Sequence, residues 1–339
     1  MIKLICYNKC GVNFVGVIGT DPITHGLIGA TLSTLSGHPI QMSDPVFLGC
    51  TLGAMLPDLD IVTYFKGKIN YLMKHRGVSH SLFALSGMAL GLGSFLYFIY
   101  PTTSWAVIVF WTLIGTLSHG LSDVLNSYGA ELLWPVYRKK ITVDMVIVTD
   151  PVVFGLFLFS LVVSMIYPDF STDSTLAALI FSICYLSYRE IDRRKTRKKL
   201  MQKYKITDQT CIKVLPAMYR PFNWSFLLFQ ETEVRFGIVL GENPKILKTL
   251  PCYDPDAPLI ANAMEGELAE IFNQFTPYCH VLLKEDGSQQ KVEFLDLRYW
   301  DKEDFLYTGE VLMLPDGQIG EETFYPFRSR NSTGIVLEY

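Results

Sequence analysis

Charge is scarce in this chain. Only 18% of its 339 residues are Asp, Glu, Lys or Arg, and half are hydrophobic, against roughly 25% charged in a soluble globular chain. That shortage excludes a disordered chain, and a net charge of −4 excludes an overall basic nucleic-acid binder. Paired cysteines are also missing. Cys6, Cys10, Cys50, Cys184, Cys211, Cys252 and Cys279 form no C-x-x-C, and their odd number argues against a complete disulfide framework. They read as reduced, mostly buried thiols. A signal peptide is not recognisable: Asn8, Lys9 and Asn13 interrupt the first apolar run, and no small-x-small site precedes Asp21. Internal repeats and low-complexity segments are absent.

The charge that is present is divided unevenly. Residues 1–205 carry 18 Lys and Arg against 12 Asp and Glu, whereas residues 206–339 carry 11 against 21. Two domains meeting near residue 205 follow from that split. In the first half, residues 81–100, 104–122, 151–167 and 174–188 contain no charged side chain. A spanning helix needs about 20 apolar residues, within a range of about 17–25. The first two stretches qualify, the third is at the lower limit and the fourth is short.

The loops test the membrane reading separately. Lys66, Lys68, Lys74 and Arg76 precede the first span, Arg138, Lys139 and Lys140 follow the second, and Arg189, Arg193, Arg194, Lys195, Arg197, Lys198 and Lys199 follow the fourth. The intervening turns at 101–103 and 168–173 have no Lys or Arg. Positive charge that alternates by side predicts four spans with both termini cytoplasmic.

The expected fold is therefore a membrane all-α bundle followed by a small cytoplasmic α+β domain. The bundle comprises four long spans plus a short N-terminal helical hairpin at 26–56, whose small residues allow close backbone approach. The expected divisions are an N-terminal extension at 1–20, a membrane-embedded helical domain at 21–188, a basic surface linker helix at 189–207 and an acidic domain at 208–339. In that last domain residues 225–240, 279–283, 291–297 and 310–314 read as strands and 259–275 as one helix.

Five of the six histidines lie in the membrane half, four of them in short polar motifs. Asp21-Pro22-Ile23-Thr24-His25 suits a helix start, with Asp21 as cap and Pro22 in the first turn. Pro57-Asp58-Leu59-Asp60 follows an apolar run. His75-Arg76-Gly77-Val78-Ser79-His80-Ser81 precedes the first long span, with Ser79 a candidate cap. His119 and Asp123, four apart near the end of the second, share one helix face and make a two-toothed platform for a divalent cation. Asp144 and Asp150 form a fifth, carboxylate-only candidate. The orientation inferred from Lys and Arg alone puts the four His/Asp motifs at cytoplasmic helix ends. Ionisable groups at membrane depth are costly and usually functional, so a mono- or dinuclear metal site is the economical reading. His38 and His280 lie outside it.

The motifs DPITHGLIGA at 21–30, GAMLPDLD at 53–60, HRGVSHS at 75–81 and SHGLSD at 118–123 come in the order seen in one family. The chain resembles the YdjM-like family of predicted membrane-bound metal-dependent hydrolases over about residues 21–170, and the PFNW stretch at 221–224 also matches. That family is distantly similar to zinc-dependent phospholipase C and P1-type nucleases. The resemblance implies that His25, Asp58, His75, His80, His119 and Asp123 are metal ligands and that Asp60 is a supporting group or base. It implies one or two divalent ions, zinc foremost, in a multi-pass inner-membrane protein.

Metal-activated water would attack an ester or an amphiphilic phosphoester at the headgroup level, with Asp60 or Asp58 taking its proton. Arg76 either pairs with an anionic substrate oxygen or serves only as a topological charge. The expected partner is the lipid bilayer, with no nucleic acid. A non-catalytic scaffold or sensor with a structural metal is the alternative. A transporter ranks last, because its polar groups belong near the bilayer middle.

Overall fold

The computed structural model describes residues 21–60, 76–286, 289–301, 303–325 and 335–337. The chain divides between Ile191 and Asp192 into two compact units.

The first unit is helical. Its elements are α1 (Asp21–Ser33), α2 (Pro45–Met55), α3 (Leu82–Ile99), α4 (Trp105–Leu125), α5 (Pro151–Ile166) and the first part of α6 (Ser171–Tyr204). Local sequence sets their starts. Asp44 accepts from the amides of Val46 and Phe47 ahead of Pro45, and Asp150 does the same for Val152 and Val153 ahead of Pro151. Ser81, rather than the expected Ser79, caps α3 by accepting from the Ala84 amide.

Among the described residues, three helical segments are long and apolar enough to cross a membrane: Leu82–Ile99, Trp105–Leu125 and Pro168–Tyr204. α5 is apolar but only 16 residues long, so the expectation of four long spans is met by three and one shorter helix. The fourth uncharged stretch does not stop at its basic flank. It continues through Arg189–Lys203 as one 34-residue helix, because Lys and Arg are good helix formers. Phe83, Phe98, Phe159 and Phe181 stand exposed on these helices, as suits hydrocarbon rather than water.

α1, α2 and α4 pack closely around Leu27, Ile28, Leu32, Cys50 and Phe157, and a second cluster joins Val46, Leu96 and Ile108. The approach of α2 to α4 depends on glycine. A Cβ on Gly115 would collide with the Cys50 carbonyl, and one on Gly53 would lie 2.7 Å from the Thr112 carbonyl. Buried hydroxyls tie the other end of α1 to α5 and α6: Thr34 Oγ1 lies 2.7 Å from Thr175 Oγ1, which lies 3.2 Å from Ser160 Oγ.

The segment 126–150 folds back over the motif-bearing helix ends. Asn126 accepts from the amides of Tyr128 and Gly129. Gly129 takes φ 71° against the Ile141 carbonyl, which lets Ala130 and Ile141 exchange backbone bonds of 3.1 and 2.9 Å. The Glu131 amide then donates to the Arg76 carbonyl at 3.1 Å, and the Leu82 amide to the Leu132 carbonyl at 2.9 Å.

The second unit holds the last part of α6 and two main antiparallel sheets. One has the order β1 (Ile212–Pro216), β2 (Trp224–Phe229), β3 (Glu233–Leu240) and β4 (Asn243–Pro251). The other runs β11 (Ile335–Val336), β10 (Ile319–Tyr325), β9 (Thr308–Met313), β6 (Gln289–Asp296) and β5 (Cys279–Asp286). A small pair, β7 (Trp300–Asp301) and β8 (Asp304–Phe305), completes the described strands.

The run at 225–240, expected as one strand, breaks into β2 and β3, because Gln230-Glu231-Thr232 makes the turn. The helix expected at 259–275 is two, α7 (Pro258–Ala263) and α8 (Glu267–Phe275), divided at Gly266. There the buried Glu322 carboxylate accepts from the Glu267 and Leu268 amides and starts the second helix. Strands β1, β4, β7, β8, β10 and β11 were not anticipated.

Candidate metal centre

Four elements of the helical unit deliver the side chains of the centre. α1 carries His25. The turn after α2 carries Asp58 and Asp60. The short 3-10 turn Val78–His80, entered from Gly77, carries His80. One face of α4 carries His119 and Asp123, four apart. His25, Asp58, His80, His119 and Asp123 are all buried, none more than 7% exposed.

His119 is aimed by the close approach of α2. Its Nδ1 lies 2.7 Å from the Ala54 carbonyl, one of the last carbonyls of α2, which lack partners within the helix. A carbonyl only accepts, so Nδ1 carries the proton and Nε2 presents a lone pair to the interior of the cluster. His80 is aimed in the same way. Its Nδ1 lies 2.9 Å from Ser79 Oγ, and that hydroxyl donates to Asp60 Oδ2 at 3.1 Å. With its own proton given to Asp60, Ser79 Oγ accepts from His80 Nδ1. Burial pushes the His80 imidazole down to about 4, so the ring is neutral and its Nε2 also presents a lone pair.

The two Nε2 atoms face one another at 2.9 Å. Asp123 Oδ2 lies 3.3 Å from both, and Asp58 Oδ1 lies 3.7 Å from His80 Nε2 and 3.6 Å from His119 Nε2. The His25 ring packs against that of His119 with centroids 3.9 Å apart, and its Nε2 lies 3.6 Å from Asp123 Oδ1. Convergent lone pairs and carboxylates repel unless a cation lies among them, so this donor chemistry fits a divalent metal. Among the described residues, two overlapping sets could hold one: His25, Asp58 and His119, and His80, His119 and Asp123, each with ligand atoms within 4.8 Å of one another.

Arg76 closes one side. Its Nη2 lies 3.0 Å from Asp123 Oδ1, and its guanidinium lies 5.8 Å from the centre of the Tyr128 ring. Its backbone takes φ 57°, a strained value for a residue other than glycine, and its amide donates to Asp60 Oδ2 at 3.2 Å. Asp60 is half a step back from the lone pairs, 3.8 Å from His80 Nδ1. Burial, then the neighbouring Asp58 carboxylate, push its acid up to about 7.

The motifs at 25, 58, 80, 119 and 123 are thus brought together, with Asp60 and Arg76 beside them. His75 lies outside the described residues, as do residues 1–20, Lys66, Lys68 and Lys74. Asp144 and Asp150 are engaged elsewhere. Asp144 lies near Thr142 Oγ1, and Asp150, the cap of α5, accepts from Tyr185 Oη at 2.9 Å. His38 pairs with Asp44 at 2.9 Å, and His280 Nε2 lies 2.9 Å from the Pro251 carbonyl. Sequence reasoning missed the part played by Ser79, whose adjacency to His80 in a polar motif was the available signal. It also missed the Ala54 carbonyl, for which no sequence signal exists.

The family model described as YdjM inner membrane protein matches residues 21–196, and that of the YfhP C-terminal alpha/beta plait domain matches residues 258–329. The uncharacterized protein YfhP of Bacillus subtilis (strain 168) is 24% identical over 290 residues, which cover 83% of this chain and 88% of that protein. No solved structure matches the chain.

Proposed function

This chain belongs to the YdjM inner membrane protein family, and on that premise we propose that it is a membrane-embedded, metal-dependent hydrolase acting on an ester or phosphoester at the cytoplasmic headgroup level. The single observation that carries the reading is the pair of imidazole Nε2 atoms 2.9 Å apart with Asp123 Oδ2 at 3.3 Å from each. An imidazole nitrogen has one lone pair and serves one cation. Because both candidate sets share His119, and its Nδ1 is bonded to Ala54, we read them as one centre. His25, Asp58, His80, His119 and Asp123 would hold the ion. Mixed imidazole and carboxylate donors suit zinc.

A bound cation of that kind supplies Lewis acidity and lowers the pKa of a ligated water from 15.7 to about 7. The protein's own residues do the rest. Ser79 and the Arg76 amide hold the Asp60 carboxylate beside the donors, where it can take a proton from the attacking water and return it to the leaving group. Arg76 neutralises Asp123 and places positive charge next to an anionic substrate oxygen. The segment 126–150 shields the centre from bulk water, which strengthens every charge interaction inside it. Four membrane crossings, with α5 as the short one and both termini cytoplasmic, complete the reading.

A second reading has its own support. The donors come from four separate elements and are buried, as in closed structural sites that staple a fold. The experiment that separates the two is metal analysis with turnover. Wild type should hold about one zinc per chain and His119→Ala and Asp123→Ala should hold little, consistent with one shared centre. Chelation should abolish hydrolysis of a nitrophenyl phosphodiester while helicity persists, and zinc should restore it. Unchanged metal content in both variants removes the site. Loss of helicity on chelation, with no turnover before it, favours the staple.

A further inference from the structure

Three consecutive cations, Arg138, Lys139 and Lys140, lie in the segment that folds over the centre. As purely topological charges all three belong in solvent. Arg138 and Lys139 stand exposed, but Lys140 is turned inward and half-buried. Lysine seldom leaves water unless it is paired, so its direction needs a cause that membrane orientation does not supply.

The backbone sets that direction. The antiparallel bridge between Ala130 and Ile141 puts Glu131 and Lys140 opposite one another at the next step. The Glu131 amide bond to the Arg76 carbonyl at 3.1 Å ties this pair to the residue whose guanidinium reaches Asp123. The Lys140 ammonium thereby comes within the field of Glu131, Arg76, Asp60 and Asp123, and the Asp60 carboxyl responds to it in turn. Burial holds that ammonium well below its ordinary range; the Glu131 carboxylate opposes this and the Arg76 guanidinium adds to it. Two cations set near one another repel, and an anion shared between them turns the repulsion into attraction. An ammonium has three N–H donors, so a bond to a protein carboxylate leaves donors for a ligand oxygen.

We infer that Lys140 and Arg76 form a two-cation clamp for the phosphoryl oxygens of a phosphoester, at the side of the centre where Asp60 and Asp123 lie. The substrate assignment rests on the hydrolase reading above; the anion binding does not. It narrows the substrate from an ester of either kind to a phosphoester, whether a lipid headgroup or a soluble one. A phosphoryl group spreads negative charge over several oxygens through to its transition state. A carboxylic ester is neutral before attack and develops one oxyanion, for which a second cation is superfluous. Arginine offers a planar fork to such oxygens and lysine a point charge.

The test is calorimetric titration of inorganic phosphate into the zinc-loaded full chain in detergent, with wild type beside Lys140→Met, Lys140→Arg and Lys139→Met. Lys140→Met should bind phosphate about 10–100-fold more weakly, the worth of one hydrogen bond between charged groups. Lys140→Arg should keep most of the affinity and Lys139→Met all of it, with zinc content and helicity equal throughout. Turnover is then read on a soluble nitrophenyl phosphodiester, on phosphatidylglycerol and on a nitrophenyl carboxylic ester. Lys140→Met should lose a similar factor in kcat/KM on whichever phosphoester is cleaved, which identifies its source, and should spare the carboxylic ester. Phosphate affinity that is unchanged in Lys140→Met, lost equally in Lys139→Met, or lost together with zinc or helicity would overturn the clamp, as would equal loss on phosphoester and carboxylic ester. Phosphate binding that depends on Lys140 without turnover of any ester overturns the hydrolase reading and leaves the clamp standing.

Discussion

Replacing Ser79 by alanine removes a single hydroxyl that is not itself a proposed ligand, yet it should weaken the metal centre. In the structure that hydroxyl lies 2.9 Å from His80 Nδ1 and 3.1 Å from Asp60 Oδ2. That contact keeps the proton of the His80 imidazole on Nδ1. Without it the ring can adopt the other tautomer, with the proton on Nε2 and no lone pair aimed at His119 and Asp123. Loss of such outer partners costs about 10–100-fold in metal affinity, or about 1.4–2.8 kcal/mol. The cavity is small and the backbone of the 3-10 turn is held by the His80 amide bond to the Gly77 carbonyl at 2.9 Å, so the fold should persist. The assay is competition for zinc between purified protein and a chromophoric chelator. Ser79→Ala should bind about 10–100-fold more weakly than wild type, and Ser79→Thr should restore most of the loss. If Ser79→Ala matches wild type while His80→Ala loses zinc, the relay argument is refuted although the ligand stands.

Further expectations follow from other parts of the molecule. Gly115→Ala puts a methyl group against the Cys50 carbonyl; by separating α2 from α4 it should break the His119–Ala54 bond and lower zinc content, measured by elemental analysis, with overpacking costing about 1–3 kcal/mol. Arg76→Met leaves Asp123 buried without its guanidinium partner and should destabilise the helical unit by about 3–5 kcal/mol, read as a lower unfolding temperature in detergent. His280, packed in the second unit, has its imidazole pushed down to about 4 by burial. The unfolded ring protonates near 6.5, so the unfolded state binds the extra proton between those values: stability is full above about pH 6.5 and falls by about 2 kcal/mol on going to pH 5. Hydrogen exchange of β5 at pH 7.5 and 5, corrected for intrinsic rates, should show that loss, and His280→Asn should remove most of it.

The sequence by itself determined the class of the first unit and the residue types of its centre. Long uncharged stretches dictate membrane helices because a bilayer has no water to satisfy a backbone outside a helix. Asp21-Pro22 marks a helix start because a carboxylate caps and proline fits the first turn, and α1 begins there. The i, i+4 spacing puts His119 and Asp123 on one face, and motifs at 25, 58 and 80 offer the same donor chemistry. The second unit was less legible. Glu321, Glu322 and Thr323 alternate weakly, and β10 forms because β9 and β11 flank it, a long-range pairing that no local pattern encodes.

What only the tertiary structure decided is convergence and aim. Nothing in the chain order says that His25 packs on His119 at 3.9 Å, or that Arg76 reaches Asp123 rather than solvent. The aim of His119 depends on a carbonyl 65 residues away, brought within reach because Gly115 lets two backbones touch. Donor identity is a property of side chains and can be read along a chain, whereas the direction of a lone pair belongs to the packing of helices and exists only once they have met.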